Sequence, residues 1–503
     1  MILYIIGCLL FTIHVVHGVA EVSNDPPYHP HLVPSIEFYP QELKGIVEQE
    51  QRVVSFGIGW ESSNDSIHDT SNNDQHDFLV SVVSEIPSIL EISNSTSFPH
   101  CMRARDEQKN FSFTVKGAFV GYTKVRVNLQ KGCSATHEPE DGATRNFELV
   151  VSVVRPPSLL VNAVTGIFAA LVAFNYVNMG VQLDLACIGK VLKRPIGPII
   201  GFVCQFLFMP VASFGISQLL LDDISLQLGL FTLGCSPGGS MSNFWTLLFD
   251  GDVNLSITMT FISTLAALAM MPLWIFTLGR TLFRDNNATI PYINLAGSLI
   301  LLTLPIGIGL LIRQYSPRLT RVSEKIIRPF TIIIVLVGIG LGMYANSFVF
   351  SYFTWQVVVA GLAIAWGGYT FGALVAWMFR LDRAQIVAVS IETAFQNPAV
   401  AFVMLLLSLP QPDADLSSVP VTAQLLLTGI PMWALLLWTR AYRKSRQCFG
   451  RDEVDGCKIE KPEIDTVQKA YLAVETNPPD EEAEDIALEQ SRWKKVDIVQ
   501  FKQ

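Results

Sequence analysis

Past residue 157 the chain is a succession of apolar runs separated by short polar connections. Nine can be marked: Leu159–Asn178, Ile196–Leu220, Leu228–Leu248, Leu255–Leu278, Ile293–Ile312, Ile326–Tyr344, Val357–Phe379, Ala384–Leu407 and Val421–Trp438. Each is near the roughly 20 residues a helix needs to cross a hydrocarbon core of ~30 Å. Before residue 157 the pattern changes. Phe111-Ser-Phe-Thr-Val115 and Lys124-Val-Arg-Val-Asn-Leu129 alternate apolar and polar, Phe147–Val154 is a β-branched run, and Val53–Phe56 and Phe78–Val83 are shorter candidates. Short runs of period two, broken by Gly, Asn and Ser, predict an antiparallel sandwich of about six or seven strands over residues 21–156.

Two of the nine runs are interrupted. In the eighth, Ser390-Ile-Glu-Thr-Ala-Phe-Gln-Asn-Pro-Ala399 places Glu392 about a third of the way in. A charge at the bilayer centre costs at least ~2.5–3.5 kcal/mol, so a carboxylate kept there marks a functional site. Gln396 lies one helical turn beyond Glu392 and shares its face. Pro398 lacks an N–H and strikes the carbonyl four residues back, which predicts a break near Phe395–Pro398. In the third run, Gly234-Cys-Ser-Pro-Gly-Gly-Ser-Met-Ser-Asn243 has no good helix former between Ser236 and Ser240. Backbone opened at membrane depth is tolerated only where it is buried in protein or lines a cavity. Two broken helices running in opposite directions are the signature of an inverted-repeat transporter with its site at the crossing. Ser256 and Thr260 in the fourth run share one face, and the second run supplies Gln205.

Composition agrees: 50% hydrophobic and 16% charged residues over 503, with a mean hydropathy of +0.39, describe a membrane protein. Positive charge orients it. With the N-terminus outside, the inner connections carry Lys190, Lys193, Arg194, the Arg313–Arg328 cluster, Arg380, Arg383 and the Arg440–Arg446 cluster; the outer ones carry only Arg280 and Arg284. Met1–Ala20 has the form of a signal peptide. Asn64, Asn94, Asn110 and Asn287 are glycosylation acceptors on the outer side. Cys101 and Cys133 are the cysteines of the β-rich region and are expected to form a disulfide in an oxidising compartment. Residues 441–503, polar and rich in Glu and Asp, read as a disordered cytoplasmic tail. The chain is therefore expected in the plasma membrane or an endomembrane, N-terminus extracellular or lumenal. The net charge of −9 comes with no basic patch, so nucleic acid is not a partner. No Ser/His/Asp set or metal cluster is visible, which argues against an enzyme and against a cofactor.

The runs Gly201–Pro210, Gly234–Asn243, Asp250–Thr260 and Glu392–Asn397, in that order, resemble the sodium/bile acid cotransporter family. The resemblance covers roughly residues 159–440. The signal-like start and large β-rich ectodomain resemble the P3-protein branch. It implies a core carrying the crossed helices and a panel that moves against it. It also implies two sodium sites: Ser242, Asn243, Ser256, Thr260 and Glu392 around one, and Gln205, Glu392 and Gln396 with the main-chain oxygens of Thr393 and Phe395 around the other. Asn397 and Ser240 would face the substrate. Bile acid carriers have Gly-Met where this chain has Ala394-Phe395, so a phenyl ring fills that cavity or lines it for another organic anion. The function implied is Na⁺-coupled symport of an organic anion by alternating access. The alternative is a transport-incompetent surface protein whose ectodomain binds a protein partner.

Overall fold

The computed structural model describes residues 32–449 apart from 63–76, 94–98, 104–108, 132–143, 183–184, 194, 240, 284–291, 324, 327–339, 341–343 and 345. The signal-like start, Asn64, Asn94, Asn287, Cys133, Ser240, most of the sixth run and the tail past Phe449 lie outside the described residues.

Nine strands, among the described residues, form two sheets. They are β1 Leu32–Tyr39, β2 Leu43–Val47, β3 Gln51–Ser62, β4 Asp77–Ser84, β5 Leu90–Ile92, β6 His100–Arg103, β7 Lys109–Gly117, β8 Gly121–Lys131 and β9 Arg145–Val154. One sheet runs β1-β3-β7-β5 and the other β2-β9-β8-β4-β6. The alternation read from the sequence sorts side chains as expected. Val125, Val127 and Leu129 of β8 turn inward against Phe56, Ile58 and Phe113 of the other sheet. Lys124 and Arg126 turn outward to Glu148.

Two expectations are corrected. The strands among the described residues number nine, not six or seven, and β2 pairs with β9 in parallel. β5 and β6 span 3 and 4 residues, too short to show alternation. β1 contains Pro34, which a central strand excludes but this edge position tolerates. Of the expected modification sites, Asn110 is exposed on β7 and Cys101 on β6.

The helices are α1 Leu159–Gln182, α2 Leu185–Leu192, α3 Ile196–Leu220, α4 Ile224–Cys235, α5 Met241–Leu248, α6 Val253–Trp274, α7 Tyr292–Tyr315, α8 Trp355–Met378, α9 Arg383–Ala394, α10 Pro398–Ser408 and α11 Asp413–Phe449. Among the described residues, five helical segments are long and apolar enough to cross a bilayer. α4 and α10 are shorter apolar helices that stop at the two breaks. α11 continues as helix to Phe449, beyond the boundary expected at Arg440.

Starts are capped by side chains that satisfy orphan N–H groups. Asp223 caps α4, Asp252 caps α6, Thr354 caps α8, and Asp382 forms a capping box with Gln385 at α9. Glycines set how closely the helices pack. A methyl at Gly180 of α1 would collide with the Ile306 carbonyl of α7, and one at Gly309 of α7 with the Val177 carbonyl of α1. In the same way Gly229 of α4 lies on the Ser417 carbonyl of α11, Gly234 on Ser213 of α3, and Gly368 of α8 on the backbone of Ala394. Close contact of this kind ties α1 to α7, and in a second group ties α4 to α3 and α11, with α8 against α9 and, at Gly361, against Leu427 and Gln424 of α11.

Gly309→Ala is expected to cost about 1–3 kcal/mol through overpacking. Gly166→Ala, where a methyl meets nothing within 4 Å, should be neutral or stabilising. Thermal unfolding of the two variants in one detergent checks this; equal midpoints would show that the α1–α7 contact is loose.

Candidate functional site

The two interrupted segments meet. α4 ends at Cys235 and α5 begins at Met241, while α9 ends at Ala394 and α10 begins at Pro398. Between them the open backbones pair as a short antiparallel bridge, Gly238 with Gln396. Gly239 N donates to Phe395 O at 2.7 Å, and Asn397 N donates to Pro237 O at 2.9 Å. Each break thus satisfies polar groups that the other has freed. Asn397 also caps α10 by accepting from Val400 N, with Pro398 at the first helical position, where its missing N–H is no loss.

This approach demands the glycine pair. A methyl at Gly238 would collide with Glu392 Oε1, and one at Gly239 would crowd the Gln396 carbonyl. Ser263 Oγ accepts from Gly238 N at 3.1 Å and holds the loop from α6.

Glu392 is 3% exposed. Its carboxylate accepts from Ser242 Oγ at 2.6 Å, Ser256 Oγ at 3.0 Å and Thr260 Oγ1 at 2.6 Å. Three hydroxyls from two other helices converge on one acid. Asn243, next to Ser242 on α5, has a buried Oδ1 with no hydrogen-bond partner.

The neighbouring constellation is amide-rich. Gln205 sits where α3 widens into a π turn over Cys204–Phe208, a device common at functional sites. Its Nε2 donates to Ser236 O and to Gln396 Oε1, both at 2.7 Å. Gln396 Nε2 in turn donates to Thr393 O at 2.9 Å. Gln205 Oε1 is buried and unpartnered. A cavity of about 10 Å³, room for one water-sized body, touches Gln205, Ser263 and Glu392 together with Pro198, Gly201 and Met259.

The structure therefore gathers Gln205, Ser242, Ser256, Thr260, Glu392, Thr393, Phe395 and Gln396 around the crossing. The main-chain oxygens of Thr393 and Phe395 each accept one hydrogen bond and keep one lone pair. Asn243 adjoins the group but hydrogen-bonds none of it.

The Phe395 ring does not stand in an open cavity. It is 8% exposed, 6.3 Å from Trp245 and 6.1 Å from Tyr369 between ring centroids.

Two contributors escaped sequence reasoning. Ser263 continues the Ser256–Thr260 stripe by three residues, so the period could have revealed it. Tyr176 is a lone tyrosine on apolar α1; its hydroxyl accepts from Asn397 Nδ2 at 2.9 Å, and no spacing pointed to it.

Comparison with known proteins bears on this arrangement. A model of the sodium bile acid symporter family matches residues 169–353. The P3 protein of Bos taurus is 31% identical over 349 residues, covering 68% of this chain and 72% of that one. The sodium-dependent organic anion transporter of Bos taurus is 31% identical over 299 residues, 56% of this chain and 74% of that one. Against the P3 protein of Homo sapiens the identity is 30% over 257 residues, so the match spans about half that relative's length, 54%. On the family match and the Bos taurus P3 protein, this chain belongs to the sodium bile acid symporter family.

Proposed function

We propose that the crossing binds two sodium ions and couples their entry to symport of an organic anion by alternating access. The observation that carries the reading is the pairing of one buried carboxylate with unmatched buried oxygens. Glu392 holds three hydroxyls, while Gln205 Oε1 and Asn243 Oδ1 have no partner. A buried acceptor left unpaired costs ~1–3 kcal/mol, and a hard cation is what such oxygens accept. One site would use Ser242, Asn243, Ser256, Thr260 and Glu392. The other would use Gln205, Glu392 and Gln396 with the carbonyls of Thr393 and Phe395. Two ions on one carboxylate leave the site net positive, which suits an anion beside Asn397 and Ser240. At ~100 mV each entering ion brings ~2.3 kcal/mol from the potential alone. That a relative is called a sodium-dependent organic anion transporter supports the same class of substrate.

We place this site within nine spans, the sixth over Ile326–Tyr344, as an inverted repeat with the ectodomain outside and the C-terminus in the cytoplasm. α1 and α7 form the panel; α3, α4, α8, α9 and α11 belong to the core. A cleaved start at 1–20, glycans at Asn64, Asn94, Asn110 and Asn287, and a Cys101–Cys133 bridge go with that orientation. The second reading, an anchored receptor that moves no solute, draws on the close packing of Phe395 against Trp245 and Tyr369.

Three outcomes follow. Sodium, compared with choline at equal ionic strength, should raise the unfolding temperature of the detergent-purified protein; 100-fold over Kd corresponds to ~2.7 kcal/mol. Glu392→Gln, close in shape but neutral, should abolish that shift, and its persistence would remove the carboxylate from the site.

Uptake of a panel of labelled organic anions should require external sodium and vanish in Glu392→Gln. Sodium-induced stabilisation with no anion taken up would instead favour the receptor.

Digestion with an N-glycosidase should increase gel mobility. Mobility unchanged by the enzyme in material from mammalian cells would reverse the orientation.

A further inference from the structure

The ectodomain does not merely precede the helices; it touches both of the bodies that glycine packing defines. Its last strand, β9, ends at Val154 and α1 begins at Leu159, joined by Arg155-Pro156-Pro157. Two prolines make that joint stiff, since each fixes φ and favours extended backbone. The ectodomain is thus continuous with the α1–α7 body.

Its second attachment is non-covalent and is made to the other body. The turn between β7 and β8 descends into the helices. Val120 is fully buried, in a cluster that includes Met209, Leu230, Val357 and Val419. The Tyr352 hydroxyl donates to Val120 O, and the Phe119 and Tyr352 rings stack 5.8 Å apart. Tyr352 closes the 3₁₀ turn Ser347–Tyr352 that leads directly into α8. Within the ectodomain, Glu48 Oε1 accepts from Val120 N at 3.0 Å and holds the turn in shape. Tyr122, two residues on, hydrogen-bonds Asp413 at the start of α11; burial first, then that carboxylate, raise its phenol above the ordinary value. Arg155 makes a two-pronged ion pair with Asp415 of α11, with Nε to Oδ2 at 2.6 Å, and its guanidinium lies 4.3 Å from the centre of the Phe348 ring. Asp415 is 1% exposed. A paired charge at that depth is hard to release, because separation leaves it uncompensated.

At the crossing itself the two bodies share one hydrogen bond, Tyr176 to Asn397, and an apolar cluster that packs Val172, Tyr176 and Ile306 with Phe206, Val400 and Met404. The ectodomain spans the same gap with a buried ion pair, a buried valine and a ring stack.

We propose that the ectodomain is a built-in brake, which holds α1–α7 against the core at their outer ends through Arg155–Asp415 and the Phe119–Val120 turn, and whose release sets how readily the two bodies separate. The proposal rests on the alternating-access reading above. Any macromolecule that captures the ectodomain and withdraws this turn would then raise the transport rate without touching the crossing.

The test is a distance measurement on the full chain. Nitroxides are placed by Tyr315→Cys on α7 and Phe379→Cys after α8, both exposed ends on opposite bodies, with other accessible free cysteines replaced. In the otherwise native protein, pulsed electron resonance should give one dominant distance. Arg155→Met combined with Asp415→Asn, which removes both charges together, should enlarge a second population about tenfold. Phe119→Ser, which leaves the ion pair standing, is the companion variant and should act in the same direction if the double variant fails to fold. An unchanged distribution in every folded variant overturns the brake. Whether sodium alone moves the labels tells the two failures apart: movement with sodium but not with the variants sinks only the brake, and no movement under either sinks the symport reading with it.

Discussion

Everything at the centre of this protein depends on two opened backbones closing on each other. A helix broken inside a bilayer exposes N–H and C=O groups that no water can reach, and each unsatisfied group costs several kcal/mol. Here Pro237, Gly238 and Gly239 of one break meet Phe395, Gln396 and Asn397 of the other and exchange main-chain hydrogen bonds. Neither break is stable alone. Their mutual repair is what brings Glu392 within reach of Ser242 on α5 and of Ser256 and Thr260 on α6. The glycines allow that approach, and the hydroxyls make a buried carboxylate tolerable.

From that one contact the chemistry divides. Hydrogen-bond donors surround the carboxylate, while two amide oxygens nearby, on Gln205 and Asn243, accept nothing. Spare buried acceptors beside one carboxylate are the feature on which the proposed sodium binding rests. The aromatic packing of Phe395 against Trp245 and Tyr369 shapes the adjoining space.

Much of this was legible in the sequence, because membrane constraints are severe. Glu392, the Pro-Gly-Gly run and Pro398 break rules that an apolar span otherwise obeys, and each marks the crossing. Long strands with strict alternation, such as β8, were legible for the same reason: one face is wet and the other dry. Contacts between distant segments were not. Tyr176 is unremarkable among apolar neighbours until Asn397 is seen beside it. Arg155 carries no periodicity or spacing that marks it, and its partner Asp415 lies 260 residues away. β2 could not be recognised as a parallel partner of β9, because pairing direction leaves no trace in five residues.

The most direct measurement is equilibrium binding of radioactive sodium to the purified full-length protein. Saturable binding should approach two ions per chain, be absent in Glu392→Gln and fall to one in a variant that removes only the Gln205 amide. Sodium binding that survives loss of the Glu392 charge, or no binding at all by a folded protein, would contradict it.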